Sequence, residues 1–274
     1  MNAATQPPAS MDRPRGRWDA RRRRCDQLLQ HYPHAADMLS LQHALLEVQQ
    51  QAFTAALADR PQPACWPAWT EQVVARSIAE ATRAHGPAAL AAAAQGQLHR
   101  GEAAGLAARW LAGEVLPPLL GYLPRASLQP LLEALLPPGG DPADAAPGGD
   151  ARHCPACGGL PQLSYVADGG DPLTTAPRRL LCARCGQDWV FARTACPACG
   201  ESASAQRTVF ADDKRFPPLS AAACDGCGCY LVGVDLRRDR DAVPEIDELA
   251  ALPLELALQE RGFRKIVPNL MGAG

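Results

Sequence analysis

Eight cysteines in this chain have the type and spacing to hold metal: Cys154-Pro-Ala-Cys157 with Cys182-Ala-Arg-Cys185, then Cys196-Pro-Ala-Cys199 with Cys224-Asp-Gly-Cys227. Each cysteine of the first set has a counterpart 42 positions later (154→196, 157→199, 182→224, 185→227). Thiolates are soft ligands, and sets of four suit structural zinc or mononuclear iron. Gly158, Gly186, Gly200 and Gly228 each follow the second cysteine of a pair. A glycine there permits the positive φ of a knuckle, in which two sulfurs converge on one ion beneath backbone N–H groups. The candidate metal ligands are therefore Cys154, Cys157, Cys182, Cys185, Cys196, Cys199, Cys224 and Cys227. Equal internal lengths favour sequential pairing, 154/157 with 182/185 and 196/199 with 224/227. An interleaved arrangement is the competitor.

Two knuckles joined by a hairpin make a zinc-ribbon or rubredoxin-like unit. In so small a unit the metal commonly replaces a hydrophobic core that the chain is too short to build. Redox work is the other reading, through iron in four thiolates or thiol–disulfide cycling. Cycling is disfavoured because no βαβ pattern surrounds Cys154-Pro-Ala-Cys157. Cys25 and Cys65 read as small buried thiols, and Cys229 points away from its knuckle. His31, His34, His43, His85 and His99 share no ligand spacing, and His153 is at most a supporting neighbour of the first knuckle. Arg152, Arg179, Arg184 and Arg193 flank the knuckles and read as solvated surface. Asp212-Asp213 reads as a turn, and Trp189, Phe191 and Tyr230 as core fillers. No Gly-rich phosphate loop, serine nucleophile elbow or HExxH sequence is present, so no catalytic residue is expected.

The elements that must position these residues fall into two halves. From Trp18 to Leu136 Ala, Leu, Gln and Arg dominate, which reads as an all-α bundle. Met38, Leu41, Leu45, Val48, Ala52 and Ala55 share one helical face. Further helices are expected at Ala68–Arg83, Glu102–Ala112 and Ser127–Leu136, with breaks at Pro33, Pro61 to Pro67, Gly86-Pro87 and Pro117-Pro118. Pro137 to Asp150 has linker composition. Strands follow at Gln162–Val166, Arg178–Leu181, Trp189–Ala192, Arg207–Phe210 and Tyr230–Val234. Helix returns from Ile246, with Gly262 as its cap. The fold class expected is α+β. Its divisions are a disordered segment 1–16, a helical domain 17–136, a linker 137–151, four-cysteine units 152–193 and 194–240, and a helical tail 241–274.

Net charge is −2 and hydrophobic content 47%. Residues 1–136 hold 13 basic and 11 acidic side chains, and 152–274 hold 14 and 15. Neither half has the basic excess of a nucleic-acid binder. No apolar run approaches the roughly 18 residues that span a bilayer. No hydrophobic segment follows Arg21–Arg24, so an export signal and membrane insertion are not expected. A cytoplasmic setting, with thiols kept reduced, is the expectation.

The cysteine pairs with Arg179-Leu-Leu-Cys182, Gly186-Gln-Asp-Trp189, Asp212-Asp213, Gly228-Cys-Tyr230-Leu and the late Pro268-Asn269 resemble the FdhE family of formate dehydrogenase accessory proteins. The likeness runs over 152–270 and is looser in the helical half. It implies a cytoplasmic, non-enzymatic maturation factor that contacts the catalytic subunit of formate dehydrogenase before export. It also implies two metal ions in the four-cysteine sites, iron favoured and zinc the alternative. A rubredoxin-like electron-transfer or thiol-redox role on the same enzyme is the second reading. Cys229 departs from the family pattern.

Overall fold

The computed structural model describes residues 14–137, 151–167 and 176–272. Helix α1 (Pro14–His31) begins inside the segment 1–16 expected to be disordered; the rest of that segment, and nearly all of the expected linker 137–151, lie outside the described residues. A 3-10 turn at Pro33–Ala35 leads into α2 (Ala36–Asp59). The expected Ala68–Arg83 helix is α3 (Trp66–Thr70), a π-helical turn (Glu71–Ala75) and α4 (Arg76–His85) in succession. Next come α5 (Ala88–His99), α6 (Ala103–Leu111) and α7 (Pro118–Leu135).

Helix α7 is longer than its prolines suggest. The sequence places this helix only at Ser127–Leu136, and an interior proline removes an i→i−4 hydrogen bond and costs roughly 3 kcal/mol. The structure carries it through both Pro124 and Pro130. The two carbonyls that the prolines leave without a helical donor are those of Leu120 and Ala126. Each is taken by a buried glutamine: Gln97 Nε2 donates to the carbonyls of Leu119 (3.2 Å) and Leu120 (3.4 Å), and Gln49 Nε2 to Ala126 (3.1 Å). Leu123, Leu128, Leu131 and Leu132 are buried on different sides of α7, each contributing roughly 1.5–3 kcal/mol. Helix α7 is thus apolar nearly all round and lies at the centre of the helical half.

The C-terminal half is one sheet of seven strands among the described residues: β1 (Pro161–Val166), β2 (Arg178–Cys182), β3 (Asp188–Phe191), β4 (Arg207–Ala211), β5 (Leu219–Cys224), β6 (Cys229–Asp235) and β7 (Arg264–Lys265), in the order β3-β2-β1-β6-β5-β4 with β7 on β6. Each four-cysteine unit supplies three antiparallel strands. The units fuse through the parallel pair β1–β6, where Leu163 faces Val232 and Val166 faces Asp235. Strand β5 is absent from the sequence reading because Ser220-Ala-Ala-Ala223 lacks the β-branched residues that mark strands. Its Ala221 and Ala223 are buried beneath α9 (Leu252–Glu260), where small side chains let sheet and helix approach. Before α9 stand α8 (Pro244–Asp247) and a 3-10 turn (Glu248–Ala251).

The two halves share their cores. Leu128, Leu131 and Leu132 of α7 pack with Leu180, Trp189, Phe191 and Leu231 of the sheet, and Leu28, Leu39 and Leu46 pack with Ile246 and Leu249. Charges cross the same seam. Arg21 bonds Glu245 (2.8 Å) and Glu133 (3.2 Å), and Arg24 bonds Asp247 (2.5 Å) and Asp239 (2.6 Å). Within the C-terminal half, the fully buried Lys265 side chain meets Glu248 at 2.6 Å and Glu255 at 2.8 Å. The arginine cluster near the N-terminus is thus an interface element. Gln49→Leu strands the Ala126 carbonyl in an apolar site, and the expected loss is about 1–3 kcal/mol. A urea unfolding midpoint equal to that of the unaltered chain would contradict this.

Candidate metal centres

Hairpin ends bring the cysteines together. Cys154 and Cys157 precede β1, Cys182 ends β2, and Cys185 lies in the β2–β3 turn. Cys196 and Cys199 precede β4, Cys224 ends β5, and Cys227 lies in the β5–β6 turn. The four knuckles share one backbone geometry. The N–H of Gly158, Gly186, Gly200 and Gly228 donates to the carbonyl of Cys154, Cys182, Cys196 and Cys224 at 2.8–3.1 Å. The four glycines have φ of +70, +67, +84 and +67, a region that side-chain-bearing residues rarely enter.

The sulfurs of Cys154, Cys157, Cys182 and Cys185 all lie within 4.8 Å of one another, as do those of Cys196, Cys199, Cys224 and Cys227. This is the sequential pairing. All eleven cysteines are free thiols. Four sulfurs bound at about 2.3 Å to one centre stand about 3.8 Å apart. In the second site Cys196–Cys227 and Cys199–Cys224 are each 3.8 Å apart; in the first, Cys154–Cys185 is 3.6 Å and Cys157–Cys182 is 3.4 Å. Both sets fit a tetrahedral ion, zinc or iron alike.

Four thiolates cannot share so small a volume without a cation. In the first site, hydrogen bonds from Cys157 and its neighbours hold Cys154 far below the ordinary thiol range. Hydrogen bonding to Cys154 pushes Cys185 far above it. An ion that displaces the protons of all four thiols removes this conflict.

The two sites differ in their surroundings. Cys154, Cys182 and Cys185 are buried with Leu128, Leu131 and Leu132 of α7 and Trp189 of β3. Trp189 Nε1 donates to the Ala151 carbonyl (2.8 Å) and pins the entering chain. Gly159 leaves no room for a side chain, because a Cβ there would lie 2.7 Å from Cys182 Sγ. The sequence reading missed Gly159, whose signal is the doubled glycine after Cys157. In the second site Cys199 is exposed and Cys227 half-buried. Burial pushes Cys196 and Cys227 up, whereas backbone hydrogen bonding beside Glu201 brings Cys199 down.

Several flanking residues have definite roles. Arg184 donates from its backbone N–H to Cys182 Sγ (3.3 Å) and from its side chain to the Cys157 carbonyl (2.9 Å). Arg152 reaches the Ala198 carbonyl (3.2 Å) and so links the first knuckle to the third. Arg179 bonds Asp188. Cys229 donates to the Cys227 carbonyl (3.7 Å) and lies outside the cluster. His153 is exposed and joins neither cluster. Asp212 accepts the N–H groups of Lys214 and Arg215, which makes it the expected turn residue. Trp189, Phe191 and Tyr230 are buried in the core.

Residues 194–271 match the family model described as FdhE, C-terminal domain. The protein FdhE homolog of Aquifex aeolicus is 34% identical over 121 residues, 44% of this chain and 42% of the relative. That of Pseudomonas putida is 36% identical over 128 residues, 46% and 40% of the two chains. The matched stretches thus span less than half of these relatives. The crystal structure of the FdhE protein from Pseudomonas aeruginosa shares the fold, with a TM-score of 0.65 at 24% identity over 98% of each chain. The resemblance read from the cysteine pattern is to the FdhE family, and these findings support it.

Of the two cysteines read as buried thiols, only Cys25 is buried; Cys65 is exposed on a 3-10 turn between Pro63 and Trp66. Burial pushes Cys25 up to about 12. Brief iodoacetamide treatment of the native protein at pH 8 is expected to alkylate Cys65 and spare Cys25. Peptide mapping that found Cys25 labelled equally fast would contradict its burial.

Proposed function

We propose that this chain, a member in its C-terminal part of the FdhE group of folds, is a cytoplasmic accessory factor for assembly of formate dehydrogenase. It holds two metal ions and binds the catalytic subunit without itself catalysing a reaction. The observation that carries this reading is the pair of four-thiol clusters, each of tetrahedral dimensions. The likeness to proteins named FdhE homolog supports the choice of partner. No helix among the described residues is long and apolar enough to cross a membrane.

In this reading all eight cysteines, Cys154, Cys157, Cys182, Cys185, Cys196, Cys199, Cys224 and Cys227, act as ligands. When bound, each ion supplies the positive charge that lets four thiolates coexist. The residues of the first site clamp the sheet to α7, since Cys154, Cys182 and Cys185 belong to the core shared by both halves. The second site faces solvent through Cys199. The helical domain 17–136 and the units 152–193 and 194–240, with the tail 241–274, together present the docking surface. Iron is favoured, and zinc fits the same sulfurs.

The openness of the second site favours one further reading, in which an iron there exchanges electrons with the same enzyme. A visible ferric–thiolate absorption that bleaches and returns reversibly would support it, and a colourless zinc protein would remove it.

Native protein is expected to carry two equivalents of metal by elemental analysis. A chelator should extract one equivalent quickly, from the second site. Cys199→Ser should retain one equivalent with a small fall in Tm, whereas Cys154→Ser should lower Tm far more, because it loosens the shared core. Both variants should capture less formate dehydrogenase catalytic subunit in co-purification. Full capture by metal-free protein would sink the proposal.

A further inference from the structure

Strand β4 ends the sheet, and its outer side has no strand partner among the described residues. Its exposure is unusual for an apolar strand: Val209 is 64% exposed, and Thr208 and Ala211 are also open to solvent. An open edge displays unpaired backbone N–H and C=O groups that can template another strand.

The internal repeat shows what this edge can accept. Strands β2 and β5 are related by 42 positions (178→220, 182→224). Arg178 of β2 faces Val166 of β1, and Ser220 of β5 faces Ala211 of β4. By the same register Leu163, Ser164 and Tyr165 correspond to Thr208, Val209 and Phe210. The edge of β1 that corresponds to the open edge of β4 is occupied: β6 lies along it in parallel, with Leu163 facing Val232 and Ser164 facing Gly233. The second unit has the same backbone edge without an occupant among the described residues.

Charge indicates the kind of strand it takes. At the start of β4, Arg207 donates to the Arg193 carbonyl (3.1 Å), so two guanidinium-bearing residues stand side by side. Arg178 lies close by; it is 7% exposed, donates to the Ala195 carbonyl (3.2 Å), and is pulled down to about 10 by burial and by Arg207. Toward the other end, Arg261 stacks on Phe210 at 4.7 Å. Arg178, Arg193, Arg207 and Arg261 have no carboxylate partner among the described residues. Of the acids that follow β4, Asp212 holds the turn and Asp213 pairs with Arg238 (2.5 Å).

We infer that the open edge of β4 is a docking site for an extended acidic segment of a partner protein. The segment adds as a further strand, its backbone pairing with residues 207–211 and its carboxylates meeting Arg193, Arg207 and Arg261. The same arginines oppose pairing between two copies of this chain, since like charges would face each other across the new ladder. Backbone pairing supplies affinity and the side chains supply selectivity, as in other cases of strand addition. The inference does not depend on which metal fills the sites or on the identity of the partner.

The test uses metal-loaded full-length chain and a fluorescein-labelled peptide, Glu-Thr-Val-Asp-Val-Glu, read by anisotropy. A second peptide of the same sequence carries N-methyl groups on alternate amides, and a third replaces its acids by lysines. Binding of the first peptide alone, weakened at least tenfold in Arg207→Glu and in Arg261→Glu and by added salt, is the expected result. Both variants replace surface side chains, and an unchanged Tm confirms that they fold. Equal binding of the N-methylated peptide would overturn strand pairing, and no binding of the acidic peptide would overturn the site. A dimer by light scattering that Val209→Lys dissociates would assign the edge to a second copy instead, which also overturns the proposal.

Discussion

Four sulfurs held within 4.8 Å of one another make the constraint on which the C-terminal half depends. Thiols so placed are in electrostatic conflict, and the conflict has one economical solution, a shared cation. Every local feature of the knuckles serves that placement. Strand ends deliver one cysteine of each later pair, the turn delivers the second, and a glycine at positive φ closes the loop. The sheet between the sites then fixes their separation, because β1 and β6 belong to different units yet lie in one ladder.

The coupling to the helical half follows from how little core the ribbons have of their own. Trp189, Phe191 and Leu180 bury themselves only because α7 covers them, and α7 in turn is buried on its remaining sides by α2 and its neighbours. Breaking one partner out of a buried charged group typically costs several kcal/mol, so Arg21 with Glu245 and Arg24 with Asp247 make the seam intolerant of rearrangement. The asymmetry of the metal centres is a by-product. Three cysteines of the first site lie in the core beneath α7, whereas the second site holds Cys199 in solvent.

The sequence made the metal centres legible to a greater degree than the fold around them. Cysteine spacing and the following glycines are local signals that favour pairing 154/157 with 182/185, and the sulfur positions select it over the interleaved alternative. Strands rich in β-branched or aromatic residues, such as Gln162–Val166 and Tyr230–Val234, were legible for the same reason. Strand β5 was not, because alanine is chosen there for close packing, a tertiary demand that overrides propensity. The fusion of two units into one sheet also left no local trace, since parallel pairing joins residues far apart in sequence. Helix α7 starts nine residues before the expected Ser127, because the distant glutamines that make its interior prolines tolerable leave no local trace.

That remedy has a geometric corollary. A helix with an uninterrupted ladder presents the same backbone to its neighbours at every turn and can slide along them with little to distinguish one alignment from the next. Helix α7 lacks two rungs, and at each gap a glutamine from another helix is keyed in. Moving α7 by one turn would offer Gln49 and Gln97 carbonyls that are already engaged and leave the vacant ones buried. The two prolines therefore act as alignment marks, fixing the axial position of the helix against which the first metal-binding unit is seated.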